Sequence, residues 1–144
     1  MVADSKRRVP ILPGAWTRPA STKEKQQLIG SECPSCGEIF FPKRTKSYCI
    51  HCGKEGLKDK KLSRQGKIHT FTVVMQQPGG GYYHGPVPYA IGLVELPEGV
   101  YVETLLKTDK LDDLNVGMKV ELVIEKIWED DSIELIGYKF QVAQ

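Results

Sequence analysis

The sequence predicts a mainly β chain in which a small cysteine-bearing module precedes a larger β domain, and three observations carry that expectation. All four cysteines of the 144 residues fall in one pattern, Cys33-Pro34-Ser35-Cys36, twelve intervening residues, then Cys49-Ile50-His51-Cys52. From Gly66 onward, apolar and polar residues follow a period of two. The charge changes sign at the same place: residues 1–65 hold 14 Lys and Arg against 6 Asp and Glu, whereas residues 66–144 hold 6 against 12.

The cysteines come first because their spacing carries the most chemistry. Two residues between paired cysteines let each turn aim both sulfurs at one point, and four soft ligands at about 2.3 Å suit a tetrahedral metal such as zinc. Pro34, Gly37 and Gly53 supply the turn chemistry that such knuckles need. The pattern predicts a four-thiolate zinc ribbon with Cys33, Cys36, Cys49 and Cys52 as ligands, although iron also accepts four thiolates. Two disulfides would suit a small secreted protein. Here the chain starts at Met1 with Asp4 and Lys6-Arg7-Arg8, and it has no apolar run of signal-peptide or membrane-span length. It is therefore expected in the cytoplasm, away from membranes. No thioredoxin-like βαβ pattern accompanies the paired cysteines, which argues against a redox dithiol. His51 reads as an exposed knuckle residue and not as a ligand. Four cysteine ligands leave no open coordination position, so the zinc is expected to be structural. It would contribute on the order of 10–16 kcal/mol to a module with few large apolar side chains.

The remaining elements follow in order. Residues 1–27 are expected to form an arm: Pro10, Pro13, Gly14 and Pro19 interrupt its first part, and Ser21-Thr22 followed by Glu24 and Gln26-Gln27-Leu28 can cap and start a short helix. Residues 28–64 are expected to be the ribbon and a linker. Leu28-Ile29 and Ile39-Phe40-Phe41 are its short strands, and residues 54–64, with five Lys and Arg, are the solvated linker. Residues 65–144 are expected to hold five strands at 68–75, 89–96, 100–106, 118–125 and 133–140. Leu96-Pro97-Glu98-Gly99-Val100 reads as a hairpin turn, and Leu111-Asp112-Asp113-Leu114 as one helical turn. Five strands with a short helix between the third and fourth describe an OB-fold barrel; a generic barrel or small sandwich is the alternative that periodicity leaves open. Gly92 and Gly137 fit points where strands of a small barrel bend sharply.

Several motifs recur in a recognisable order. They are Cys33-x-x-Cys36-Gly37, Phe41-Pro42-Lys43-Arg44, Cys49-x-x-Cys52-Gly53, Gly66-Lys67-Ile68-His69-Thr70-Phe71, Pro88-Tyr89-Ala90-Ile91-Gly92-Leu93 and Gly117-Met118-Lys119-Val120. In this order they resemble the acyl-CoA-associated OB-fold proteins with a rubredoxin-like zinc ribbon, the family long catalogued as domain of unknown function 35. The resemblance covers roughly Trp16 to Phe140, with Lys43 departing from a second proline found in many relatives. It implies an N-terminal helical arm, a rubredoxin-like zinc ribbon and a five-stranded OB-fold barrel. It also implies a non-catalytic role in lipid metabolism beside thiolase-superfamily enzymes, of the acetoacetyl-CoA thiolase or hydroxymethylglutaryl-CoA synthase type. Similar proteins there hold an acyl-CoA between subunits or bridge two enzymes.

The residues themselves agree with a non-catalytic role. Every thiol is committed to the metal, only His51, His69 and His84 offer an imidazole, and the paired acids Asp112-Asp113 and Asp130-Asp131 sit in turns. The unusual loop runs from Gln76 to Pro88, where three glycines precede Tyr82, Tyr83 and His84. It joins the first two barrel strands, a connection that OB folds use for ligand contact. For an acyl-CoA, Tyr82, Tyr83, His84 and Tyr89 are candidates to line the pantetheine channel, and Lys43, Arg44 and Lys46 are candidate cations for the phosphates. Single-stranded nucleic acid is the rival ligand of such folds, but the acidic barrel half argues against a polyanion. A ligand-free structural adaptor, using the basic and acidic halves for docking, is the third reading.

Overall fold

The structure is a computed structural model that describes residues 6–18, 25–77 and 85–143. In chain order its strands are β1 (Arg7–Pro10), β2 (Ile29–Glu32), β3 (Ile39–Phe40) and β4 (Lys58–Lys61), then β5 (Gln65–Val74), β6 (Tyr89–Glu95), β7 (Tyr101–Lys107), β8 (Lys119–Glu129) and β9 (Ile133–Val142). A single 3-10 turn, Leu111–Asp113, is the only helical element among the described residues.

The last five strands close on themselves. β8, β5, β6 and β7 pair antiparallel in that order, and β9 completes the ring by pairing parallel with β7 and antiparallel with β8. This closure, with the 3-10 turn between the third and fourth barrel strands, is the OB fold and not a sandwich. Alternation drives it. Ile68, Val94, Val102, Val120, Leu122 and Phe140 all point inward and are almost completely buried, each burial worth about 1.5–3 kcal/mol. Gly92 belongs to the same inward row, alternating with buried Ala90 and Val94, and a Cβ there would lie 2.5 Å from the carbonyl oxygen of Thr70. Register shifts in β5 between Ile68 and Thr70, and in β8 between Lys126 and Trp128, add the local coiling that a small barrel needs. The β6–β7 turn forms as its sequence suggests, with Gly99 at φ +88° and its amide donating to the Leu96 carbonyl at 2.9 Å.

Two expectations are corrected. The helical arm is not supported: residues 25–27 are not helical, and the Ser21-Thr22 capping signal lies outside the described residues. Instead β1 adds in parallel to β9, beyond the stretch of β9 that pairs with β7. Trp16 bridges Leu28 antiparallel, and the Thr17 amide donates to the Gln27 carbonyl at 2.8 Å. Extended pairing delivers Leu28 to the core, where it is completely buried, and a short helix of marginal intrinsic stability does not compete with that. The second correction concerns the linker. Within residues 54–64, Lys58–Lys61 form β4 against β2, making a three-stranded ribbon sheet in the order β3-β2-β4. Leu62, just beyond, is fully buried.

Arm, ribbon and barrel meet at the next two residues. Glu98 of the β6–β7 turn accepts hydrogen bonds from the Ser63 amide at 2.9 Å and the Ser63 hydroxyl at 2.7 Å. The Arg64 guanidinium donates to the Gln26 carbonyl and, at 2.7 Å, to the Leu122 carbonyl. The Leu122 amide returns a bond to the Arg64 carbonyl at 2.7 Å.

Candidate metal centre and anion site

Two knuckles of the same construction build the metal centre. The Cys33 amide donates to the Glu38 carbonyl and the Gly37 amide to the Cys33 carbonyl, both at 2.9 Å; Cys49 with Lys54 and Gly53 with Cys49 repeat this at 2.8 and 2.7 Å. Gly37 and Gly53 close the turns at φ +79° and +80°, a region that strains any residue with a Cβ. The knuckles point their thiols inward at one another. All four Sγ atoms lie within 4.8 Å of each other, with Cys33 to Cys52 at 3.6 Å and Cys36 to Cys49 at 3.7 Å. A tetrahedron of zinc–sulfur bonds at 2.3 Å has edges of about 3.8 Å, so the donor set fits zinc. A disulfide, at about 2.05 Å, is not formed.

The electrostatics of the cluster favour a cation at its centre. Chiefly because the Cys36 amide donates to its sulfur, the Cys33 thiol is pulled down to about 6. For Cys36 the Glu38 amide favours the thiolate, yet desolvation and the crowding sulfurs of Cys33, Cys49 and Cys52 prevail and push its thiol up to about 12. Four thiolates this close repel unless positive charge sits among them. His51 is not one of the gathered donors: it is exposed on the second knuckle, with Nδ1 3.9 Å from a Glu38 carboxylate oxygen on the first.

The three basic candidates on the ribbon divide. Lys43 Nζ lies 3.4 Å from Asp59 on β4. Lys46 is exposed in the same loop. Arg44 differs from both, because its guanidinium carbon sits 5.7 Å from the Phe40 ring centroid and 5.8 Å from that of Tyr48. Its amide is fixed by the Ser31 hydroxyl at 3.0 Å. Its Nε is buried without a partner among the described residues, and no carboxylate pairs with it there. A guanidinium held between two rings is a preset fork for a phosphate or carboxylate. Sequence reading missed the two rings; aromatic residues four positions either side of Arg44 were the available signal. Of the remaining candidates, Tyr89 is half-buried at the start of β6, whereas Tyr82, Tyr83 and His84 lie outside the described residues.

Comparison with known proteins fits this geometry. Residues 23–58 match the family described as the ChsH2 rubredoxin-like zinc ribbon domain, and residues 59–125 match the ChsH2 C-terminal OB-fold domain. The chain is 38% identical over 121 residues, 83% of its length and 85% of the relative's, to a DUF35 domain-containing scaffold protein of Pyrococcus furiosus. The chain belongs to the DUF35 family. Among other proteins similar to this DUF35 chain is the benzoylsuccinyl-CoA thiolase subunit BbsA of Thauera aromatica, 31% identical over 79% of the chain and 75% of the relative. A solved structure described as the Ltp2-ChsH2(DUF35) aldolase shares the fold with a TM-score of 0.63 and 24% identity, covering 82% of this chain and 86% of that one. No helix among the described residues of this DUF35 protein is long and apolar enough to cross a membrane.

Proposed function

We propose that this chain is a non-catalytic, cytoplasmic partner subunit of a thiolase-type enzyme, and that it helps to hold an acyl-CoA whose chemistry takes place on the partner. The observation that carries the reading is its likeness, over most of its length, to a protein named as a thiolase subunit. Two features of the chain support it. Its four thiols are gathered at one metal centre, away from the nucleophilic work of thioester chemistry. Arg44, which has no carboxylate partner among the described residues, offers a ring-held guanidinium to an anion, with Lys43 and Lys46 in the same loop to assist at the CoA phosphates. Tyr82, Tyr83, His84 and Tyr89 complete the proposal as the apolar side of the pantetheine channel. Its working parts are the arm of residues 1–27, the ribbon of 28–64 and the barrel of 65–144. The test is coexpression with a thiolase-fold enzyme from the same source, followed by calorimetry of the purified complex with CoA and with pantetheine. Arg44→Gln should weaken CoA binding by about tenfold while leaving pantetheine, which lacks the nucleotide phosphates, unchanged. Failure to form a complex, or equal affinity of wild type and variant for CoA, would refute the reading.

A further inference from the structure

The long strand β5 has an open edge. It pairs with β8 only through Gln65–Lys67, followed by bonds between Ile68 and residues 117–118, whereas its pairing with β6 runs on to Val74. From Thr70 to Val74 its other side meets no strand among the described residues. Parity identifies the backbone groups that stand there. The Leu96 amide donates to the Val100 carbonyl at 3.0 Å, so the even-numbered residues of β6 and β7 form the hydrogen-bonded pairs, Gly92 with Thr104 among them. Ile91 and Leu93 therefore turn their amides and carbonyls to β5, where they meet Thr72 and Thr70. Those of Phe71 and Val73 point the opposite way, to the open side.

Natural edges are blunted by lysines, prolines or bulges that block a further strand. β1 holds Arg7, Arg8 and Pro10, and β4 holds three lysines. By contrast, Thr70-Phe71-Thr72-Val73-Val74 has no charge and no proline, every residue in it favours a strand, and the bulge at His69 lies before it. Phe71 packs on the core and Val73 shares its face, yet both are only half-buried, and Met75 beyond them is 68% exposed.

We propose that a second copy of this chain covers the edge, β5 pairing antiparallel with its counterpart about a twofold axis through Thr72. The edge selects this occupant because it complements itself. In that register Phe71 meets Val73 of the second copy in two hydrogen-bonded pairs, one on each side of the axis, and the four open amides and carbonyls of each edge are satisfied. Thr72 meets Thr72 in the closer pair between them, and Thr70 meets Val74. Aromatic with β-branched and Thr with Thr are favourable cross-strand pairs, and no charge stands opposite its like. Such an isologous contact closes at two copies. It does not depend on the acyl-CoA reading.

Sedimentation velocity on the zinc-loaded full chain should show a monomer–dimer equilibrium, with hydrogen exchange slowing at the Phe71 and Val73 amides as concentration rises. Thr72 is exposed, so its replacement spares the fold of the monomer. Thr72→Lys and Thr72→Glu should each weaken the dimer by about tenfold, because like charges then meet on the axis. An equimolar mixture of the two variants should restore it. A chain that stays monomeric at every concentration, or a dimer indifferent to Thr72→Lys, would overturn the proposal. So would slowed exchange at Phe71 and Val73 only in complex with a thiolase-fold enzyme, which would assign the edge to that enzyme.

Discussion

Against the Glu38 amide, which favours the thiolate, desolvation and the neighbouring sulfurs push the exposed Cys36 thiol upward, so its ligation draws on the charge of a bound metal. Cys36→Ser is expected to abolish stoichiometric zinc, read by metal analysis of the purified protein. It should cost the ribbon amides their exchange protection while the barrel keeps its strand signature, because a four-cysteine module owes about 10–16 kcal/mol to its metal. That ligand set was fully legible in the sequence, since spacing alone fixes which thiols can converge. The setting of Arg44 was less so: a ring-held cation depends on where β3 and the second knuckle bring Phe40 and Tyr48, and no short-range pattern states this. A second residue carries a pH dependence. Glu125 pays a desolvation penalty, but hydrogen bonds from Lys107 at 2.8 Å and Lys139 at 3.2 Å outweigh it and hold its carboxyl below the ordinary 4.5. A depressed folded value means that the stability it contributes is present above 4.5 and is lost as pH falls through the folded value. Because the group is largely solvated, the effect should be under about 1 kcal/mol. Denaturant titrations should show a flatter acid limb for Glu125→Gln than for wild type.

At the scale of elements, the five barrel strands were readable because each alternates across a half-buried pleat. The two strands that escaped sequence reading lack that signal. β4 is Lys-Asp-Lys-Lys, an edge strand whose side chains mostly reach water, and its apolar marks, half-buried Leu57 and fully buried Leu62, lie just outside its two ends. Leu62→Ala is expected to cost about 2–5 kcal/mol in chemical denaturation, a loss that no solvated linker would produce. β1 includes Pro10 and two arginines, a composition tolerated at a sheet edge but uninformative about it. Its backbone pairs with residues 133–136 of β9, and Gly137 leaves room for the next residue of the arm: a Cβ there would lie 2.7 Å from Ile11 Cδ1 and would also crowd Ile127. Gly137→Ala should therefore lift the arm. Faster hydrogen exchange across residues 7–11, with the β5–β6 ladder unchanged, is the expected readout.

Over the whole molecule, charge is sorted by sequence half, basic through the ribbon and acidic through the barrel. A partner that contacts the ribbon should present acidic groups, and its association rate should fall steeply as salt rises from low to physiological strength. A rate independent of salt would count against ribbon-led docking. The two halves are joined without slack. Ser63 and Arg64 leave no free residue between β4 and β5, and their bonds to Gln26, Glu98 and Leu122 grip three separate stretches of chain. Mechanically, the ribbon is a lever whose fulcrum is those two residues. A protein that grasps the cysteine knuckles would turn the barrel as one body with them, so the metal centre would set the angle at which the barrel meets any such partner.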